Sequence, residues 1–585
     1  MPLFGVLAMD EVSAAKGAAV QFGIFEADLR AGELRKRGVR VKLQEQPFLV
    51  LQILLEHPGQ VVTREQLQQR VWPTDTFVDF DHGLNNAVKK LREALSDSAE
   101  TPRYIETLPK RGYRFIGELE RTSRKLRSIA VLPLENLSND PEQEYFADGM
   151  TEALITNLAK ISALRVTSRT SAMQYKGVHN KSAREIAGQL GVDGIVEGTV
   201  VRSGERVRIS AQLINTHTDT HVWAESYDRD LRDILALQSE VARAIVQEIQ
   251  ITLTPREKLQ LARTQSVNSK AYEAYLRGRY FWNKRTVEGV KKGAYYFQEA
   301  IDKDPTYAPA YAGLADSHVI QAYWGFASAN ESAGRAETLA RKALDIDDTL
   351  AEAHASLAFA MHMYDWDFLR AETMFRRSIE LNPSYAPARQ WYALFLAMMG
   401  RWDLAITEIN RALQLDPVSP IIHVAFAAML IFARKWDESI EESQRALELD
   451  PRFPQARWML GWAYGLKGVY RQAIAELGEG AKLTDGASLF LFALGYVYGV
   501  AGEEGEARKI LEQLLELSKR RYVMHYWIAT VYAGIGDKDG AFHWLERAYH
   551  ERSAWMAFLK VQPWFDVLRP DPRFMDLMRR MNFPS

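Results

Sequence analysis

The chain has 585 residues, 47% of them hydrophobic and 25% charged, which is enough apolar material for three or more globular domains and excludes a disordered chain. A formal net charge of −2 excludes a nucleic-acid polycation, so any contact with DNA has to come from a local patch. The absence of cysteine excludes disulfides, thiolate catalysis and Cys-based zinc sites, and fits a reducing compartment.

The chain opens on Met1 to Met9, apolar but too short for a signal-peptide core, with Asp10 and Glu11 following at once. Glu45 to Glu56 predicts a helix with Pro47 in its first turn, apolar residues at Phe48, Leu51 and Leu55, and a stop at His57-Pro58-Gly59. Thr63-Arg64-Glu65-Gln66 has the form of a capping box and predicts a second, short helix ending at Trp72-Pro73. Leu84, Val88, Leu91 and Leu95 then place one apolar stripe along a third helix. Its other face carries Asn85, Asn86, Lys89, Lys90 and Arg92, amides that suit base edges and cations that suit phosphates, with Ala87 interrupting the polar run. A solvated helix face has a similar composition, so the neighbours decide. Arg103 to Leu108 and Tyr113 to Ile116 predict two strands joined by Pro109-Lys110-Arg111-Gly112, a hairpin with a basic tip. Three helices, the third basic, followed by such a hairpin predict a winged helix-turn-helix. Between Val20 and Gly117 the balance is only 15 Lys/Arg against 13 Asp/Glu, so placement of the cations, not their total, carries this reading.

At these residues the sequence resembles the OmpR/PhoB-type winged-helix domain, over Val20 to Gly117 and including the closing Arg111-Gly112-Tyr113-Arg114-Phe115. The resemblance implies a four-stranded amino-terminal sheet from Phe22 to Leu43. It puts Asn85, Asn86, Lys89, Lys90 and Arg92 on the recognition helix and Lys110 and Arg111 on the wing. The segment Phe77-Val78-Asp79-Phe80-Asp81-His82-Gly83 resembles CadC/ToxR-like one-component regulators. Two departures follow. The 19 residues before Val20 cannot fold into a phosphoacceptor receiver domain, and Glu118 to Leu126 is a polar, basic linker where CadC/ToxR-like members carry a membrane span.

From Arg127 to Thr254 strands and helices alternate: Ile129 to Leu132, helix Phe146 to Ala159, Leu164 to Thr167, helix Ala183 to Leu190, then strands Gly194 to Val201, Val207 to Ile214 and His221 to Tyr227, and a closing helix Leu235 to Ile251. This predicts an α/β domain. Ser128 to Leu134, Phe146 to Glu152 and Asp193 to Gly198 resemble the amino-terminal domain of TolB and its relatives. Little in it points to chemistry. His217 and His221 read as hairpin residues rather than a metal pair, and Asp148 and Glu152 as a solvated first turn favoured by the helix dipole. The glycines at 149, 194 and 198 lack the dinucleotide spacing, and neither a P-loop nor a nucleophile elbow occurs. No cofactor or metal is expected.

After a linker over 255–269 the rest is a repeat array. Pro383, Pro417 and Pro451 are 34 residues apart, and the same interval separates Gly461, Gly495 and Ala529, Tyr464, Tyr498 and Tyr532, and Ala473, Ala507 and Ala541. This resembles the tetratricopeptide repeat, with about eight helix pairs over 270–551, Asp485 in phase and an insertion near Ala327 to Ala333. Ser553 to Asn582, with Trp555, Phe558, Trp564, Phe565 and Phe574, reads as a cap over the apolar face of the final repeat. Most of the aromatic residues read as packing between helices, a minority as lining a concave surface that grips a partner. The longest apolar run, Ile421 to Ala433, is shorter than the ~20 residues a bilayer requires.

The sequence therefore predicts a multidomain chain: winged helix (20–117), TolB-like α/β domain (127–254), repeat α-solenoid (270–551) and helical cap (552–585). The function it implies is a cytoplasmic, sequence-specific, one-component transcriptional regulator without enzymatic activity. Its expected partners are promoter DNA, a protein or peptide on the repeats, RNA polymerase and a second copy, with no membrane. The competing reading is a repeat-based scaffold whose winged helix serves protein contacts.

Overall fold

The computed structural model describes residues 19–29, 31–72, 80–117, 119–120, 126–138, 140–262, 267–284, 286–484 and 487–583. Phe77 to Asp79, the 121–125 part of the expected linker and Asp485 lie outside these. The chain forms two compact units, Met1–Arg124 and Lys125–Ser585.

In the first unit, strands β1 (Ala19–Phe22), β2 (Phe25–Asp28), β3 (Glu33–Lys36) and β4 (Val39–Val41) form an antiparallel meander. Helix α1 spans Glu45–Glu56, the predicted bounds, with Phe48, Leu51 and Leu55 buried. Strand β5 (Val61–Thr63) leads into α2 (Arg64–Val71), whose capping box is complete: Thr63 Oγ1 accepts from the Gln66 backbone N–H, and Gln66 Oε1 accepts from the Thr63 N–H. Helix α3 (Phe80–Leu95) follows, then β6 (Ile105–Leu108), β7 (Gly112–Phe115) and β8 (Leu119–Glu120). Two features go beyond the prediction. Strand β8 pairs with β1 and gives the meander a fifth strand, and β5 pairs with β7 to make the wing a three-stranded sheet, β5-β7-β6. One core joins the layers: Phe22 meets Tyr104 and Phe115 edge-on, and Leu51, Leu54, Leu67, Leu84, Val88 and Leu91 fill the space between the helices.

The second unit opens with a six-stranded sheet. Strands β9 (Ser128–Val131), β10 (Glu135–Asn136), β11 (Arg165–Val166), β12 (Gly194–Ser203), β13 (Arg206–Asn215) and β14 (Thr220–Asp230) lie in the order β11-β9-β12-β13-β14, with β10 on β12. The pairs among β9, β11 and β12 are parallel, and β12 to β14 run antiparallel. Helices α4 (Glu144–Ala159) and α7 (Ile234–Glu248) share its main core, while α6 (Ala183–Leu190) covers Ala130, Leu132 and Ile195 in a smaller one; the short α5 spans Arg169–Met173. Residues 255–269, expected as a linker, instead contain helix α8 (Pro255–Ala262). It is anchored because the Glu257 carboxylate accepts from the backbone N–H and hydroxyl of both Ser162 and Thr254, at 2.7–2.8 Å.

Among the described residues the array comprises eight helix pairs, from α9 (Ser269–Trp282) with Val287–Lys303 to His525–Ile535 with Lys538–His550. Helices begin at Ala386, Pro420, Pro454 and Ser488, the 34-residue spacing of the sequence. The insertion lengthens the second pair, Ala308–Tyr323 with Ala329–Ile346. The α/β domain is fused to this array by packing. Leu276 of α9 presses on Gly149 within α4, where an added Cβ would stand 2.6 Å from the leucine. Asp148 and Glu152 are therefore not a solvated turn; they are buried and paired. Lys176 lies 2.5 Å from Asp148, and Glu152 is held by Arg279 of α9 at 2.5 Å, Arg169 at 3.1 Å and the Asn283 amide at 3.1 Å. Burial works against that charge, but Arg279 and Arg169 hold the Glu152 carboxyl below the usual carboxylate range. A second seam joins α5 to the corner between the fourth and fifth pairs, where the Ser171 hydroxyl donates to Asp416 at 2.5 Å and the Ser168 N–H to the Leu415 carbonyl at 2.8 Å.

The tail does more than cap the final repeat. Two short helical turns, Ala554–Phe558 and Pro563–Leu568, run along the inner side of the array, and a helix, Pro572–Arg580, packs on Lys538–His550 of the final pair, with Arg573 on Asp539 at 2.9 Å. The Trp555 indole N–H donates to the Tyr323 carbonyl of the second pair at 2.7 Å, and Phe558 packs on Phe432 of the fifth. Trp564 stacks on Trp462 of the sixth with centroids 4.1 Å apart, and Phe565 meets Tyr526 of the eighth. The physical reason is the supply of rings: aromatic residues facing inward from several repeats leave an apolar surface that Trp555, Phe558 and Trp564 remove from water.

Candidate nucleic-acid interface

Helix α3 buries Leu84, Ala87, Val88, Leu91 and Leu95 against α1 and the wing sheet. Ala87 thus belongs to the core stripe rather than to the polar face it interrupts in sequence. The seven predicted residues fall into two groups. Asn86 and Lys89 are exposed on α3 and have no hydrogen-bond or ion-pair partner among the described residues, and Lys110 and Arg111 are exposed at the wing tip. Lys110 adopts φ 63°, an uncommon conformation for a side-chain-bearing residue, in the turn closed by the Arg111 N–H donating to the Leu108 carbonyl at 3.0 Å. Gly112 is required there, since a Cβ would lie 2.1 Å from the Val62 carbonyl of β5.

The other group is engaged within the domain. Arg92 turns to the wing, its guanidinium donating to the Ile105 carbonyl at 2.7 Å and the Thr107 hydroxyl at 2.8 Å. Lys90 donates to the Gln44 amide oxygen at 2.7 Å. Asn85 Oδ1 accepts from the Tyr113 hydroxyl at 3.0 Å and from Arg64 at 3.2 Å. Arg64, which the sequence reading used only for its capping motif, also pairs with Asp81 at 2.7 Å and so ties α2 to α3. The arrangement gives a rigid helix presenting one amide and one cation outward, with two more cations on a raised tip, suited to a major groove and its flanking phosphates.

The α/β domain offers no comparable site. His217 pairs with Asp193 at 3.0 Å, and among the described residues no group of three or more His, Asp or Glu side chains is placed to hold a metal.

Comparison with known proteins supports the same class. Residues 38–115 match the family described as transcriptional regulatory protein, C terminal, residues 124–244 the second domain of HilA/YgeH-like transcriptional regulators, and residues 362–420 the tetratricopeptide repeat. Residues 38–115 are thus a winged-helix domain of the OmpR/PhoB type, the kind carried by transcriptional regulators. The segment that resembles TolB is, more specifically, a HilA-like regulator domain, and the repeats follow it in the same chain. The transcriptional regulator HilA of Salmonella typhimurium is 23% identical over 65% of this chain and 67% of its own length. The cholera toxin homolog transcriptional activator of Vibrio parahaemolyticus is 34% identical over 17% of this chain and 34% of its own. A putative adenylate cyclase 3 of Rhizobium meliloti is 38% identical over 40% of each chain, so the match spans two fifths of that relative. Of solved structures, a thermophilic repeat protein of Thermus thermophilus aligns with a TM-score of 0.29 at 19% identity, covering 33% of this chain and 98% of its own. Pseudomonas aeruginosa pilF aligns at 0.27 and 19% identity, covering 35% and 92%. Among the described residues no helix is long and apolar enough to cross a membrane.

Proposed function

We propose that this chain acts in the cytoplasm as a one-component regulator that binds promoter DNA through α3 and the wing. In this reading Asn86 reads a base edge, Lys89, Lys110 and Arg111 neutralise phosphates, and Asn85, Lys90 and Arg92 hold the helix in position. The supporting observation is the division within the polar face of α3: Asn86 and Lys89 point outward unengaged among the described residues, while their neighbours are tied to Gln44, the wing and Arg64. A single module of this kind buries only about 600–1,000 Å² on DNA, so regulatory affinity calls for a dimer or tandem binding. The HilA-like domain and the repeats supply protein contacts, to RNA polymerase and to a second copy.

The test is selection from a random duplex pool by the full-length protein, with the Lys89→Ala/Arg111→Ala variant as control. Enrichment of a repeated half-site, absent with the variant, is expected. Failure of both the full chain and residues 1–124 to enrich any sequence would favour the scaffold reading instead. Because one relative carries a cyclase name, conversion of ATP by the full-length protein is the second assay; no cyclic nucleotide is expected.

A further inference from the structure

The first repeat concentrates positive charge that the winged-helix reading leaves unused. From Arg277 to Tyr296 the chain has six Lys/Arg, at 277, 279, 284, 285, 291 and 292, against one acid, Glu288, a balance of +5 in a molecule of net charge −2. These residues form the end of α9, the turn after it and the start of the helix Val287–Lys303. Arg279 turns inward to Glu152, and Glu288 pairs with Lys292 at 2.9 Å. Arg277, Lys284 and Lys291 are exposed, and none of the three is in an ion pair among the described residues. Rings support these cations. Phe281 and Tyr296 stack with planes 5° apart and centroids 5.5 Å apart, which joins the two helices at this face. Lys284 Nζ lies 5.0 Å from the Phe281 centroid and 4.7 Å from that of Tyr280, and Lys292 Nζ lies 5.5 Å from Phe281. The Arg277 guanidinium sits 4.8 Å from the Tyr145 ring of α4 and is four residues from Phe281 on α9. Lys291 is likewise four residues from Tyr295, which is 66% exposed and meets Tyr296 at 5.3 Å, so cations and rings share one surface.

We infer that this face of the first repeat is a second contact for DNA, one that binds the backbone phosphates of a duplex without regard to sequence. A local excess of cations outside ion pairs selects a polyanion. A lysine resting on a ring keeps its full charge and has less freedom to lose when it meets a phosphate. The chemistry of the face separates backbone contact from base contact. Phe281 is stacked on by Tyr296 and lies under two lysines, so it is no platform for an unpaired base. The amide and hydroxyl of the turn are engaged within the protein: Asn283 donates to Glu152 at 3.1 Å, and Thr286 accepts from the Gly289 N–H at 3.0 Å. What faces outward from the turn is therefore point charge, which suits phosphates and carries no sequence information. Such a contact raises affinity for any duplex and lets the chain stay on DNA while α3 samples sequences. The inference goes beyond the promoter-binding reading, since it uses neither α3 nor the wing.

The test takes the full-length chain with its winged helix disabled by Lys89→Ala/Arg111→Ala and titrates it against a fluorescent duplex of arbitrary sequence at a series of salt concentrations. Expected is binding that weakens with salt. The slope of log K against log salt should fall by about 0.9 for each lysine removed in Lys284→Ala and Lys291→Ala, and Lys284→Arg/Lys291→Arg should keep it. Both lysines are exposed and outside any ion pair among the described residues, so these variants should melt with the parent. The matching single strand should bind no more tightly than the duplex, and phosphatidylglycerol vesicles should not displace the duplex. A slope that the alanines leave unchanged, tighter binding of the single strand, displacement by the vesicles, or no duplex binding by the disabled chain would each overturn the assignment. Operator selection by the intact winged helix can succeed or fail independently of this result.

Discussion

Asn86 and Lys89 are adjacent on one helix face, yet they should fail differently when removed. Lys89→Ala should weaken binding to all duplexes alike and lower the slope of log K against log salt by about 0.9, the share of one phosphate. Asn86→Ala should cost about 1–3 kcal/mol at one base pair and relax preference there. Arg92→Ala is the contrasting case: losing two hydrogen bonds from a charged group should cost the domain about 1.5–3 kcal/mol in urea unfolding while leaving the salt slope in place. A slope lowered by Arg92→Ala would return that residue to the phosphates. A second residue-scale prediction concerns acid. His362 is buried, its Nδ1–H donating to the Ala358 carbonyl, and burial pushes its pKa down to about 4. Unfolded, it titrates near 6.5, so the stability held by keeping it neutral is complete above that pH and is lost as pH falls from 6.5 towards 4, up to about 3 kcal/mol. Burial lowers His318 and His354 in the same sense. Asp365, pushed up to about 6 by burial and by Glu337 beside it, works the other way, losing stability as pH rises through that range. Thermal unfolding at pH 7.5 and pH 5 should show His362→Gln losing less on acidification than the parent.

At the scale of elements, the seam between α4 and α9 is where a pair of charges fixes one domain on another. Arg279→Leu should cost about 3–5 kcal/mol in denaturant unfolding of the second unit, because it strands Glu152 in the interior; Glu152→Leu/Arg279→Leu together should recover much of that. Elements whose signal is local were legible. The apolar period and proline of Glu45 to Glu56 placed α1, the Thr63 capping box placed the start of α2, and the 34-residue spacing placed the repeat helices. What was not legible depends on partners far along the chain. Asp148 and Glu152 have the spacing of a solvated helix start, and it takes Lys176 on Asp148, and Arg169 and Arg279, the latter 127 residues on, on Glu152 to pair them. Helix α8 is eight residues long and held by Ser162, 95 residues back. The candidate interface divides in the same way. The apolar stripe and the cations marked α3, but which polar groups face outward was decided by Gln44, Arg64, Ile105 and Tyr113, none adjacent to them in sequence.

For the whole molecule, two units imply two kinds of failure. Deleting residues 553–585 should unmask Trp458, Trp462, Phe492 and Tyr526, giving aggregation, dye binding to exposed rings and a broad melting transition for the second unit. The first unit, with its own core, should keep its melting transition and its grip on DNA. Loss of DNA binding by the truncated chain under conditions where it stays soluble would contradict that independence.

The bond from Trp555 back to Tyr323 joins residues 232 apart. On a ribosome the winged helix emerges and folds first, while the early repeats wait, their inner rings bare, until the Trp555 segment is made. For that interval, some tens of seconds at about 5–20 residues per second, the nascent chain is at once competent for DNA and a client for chaperones.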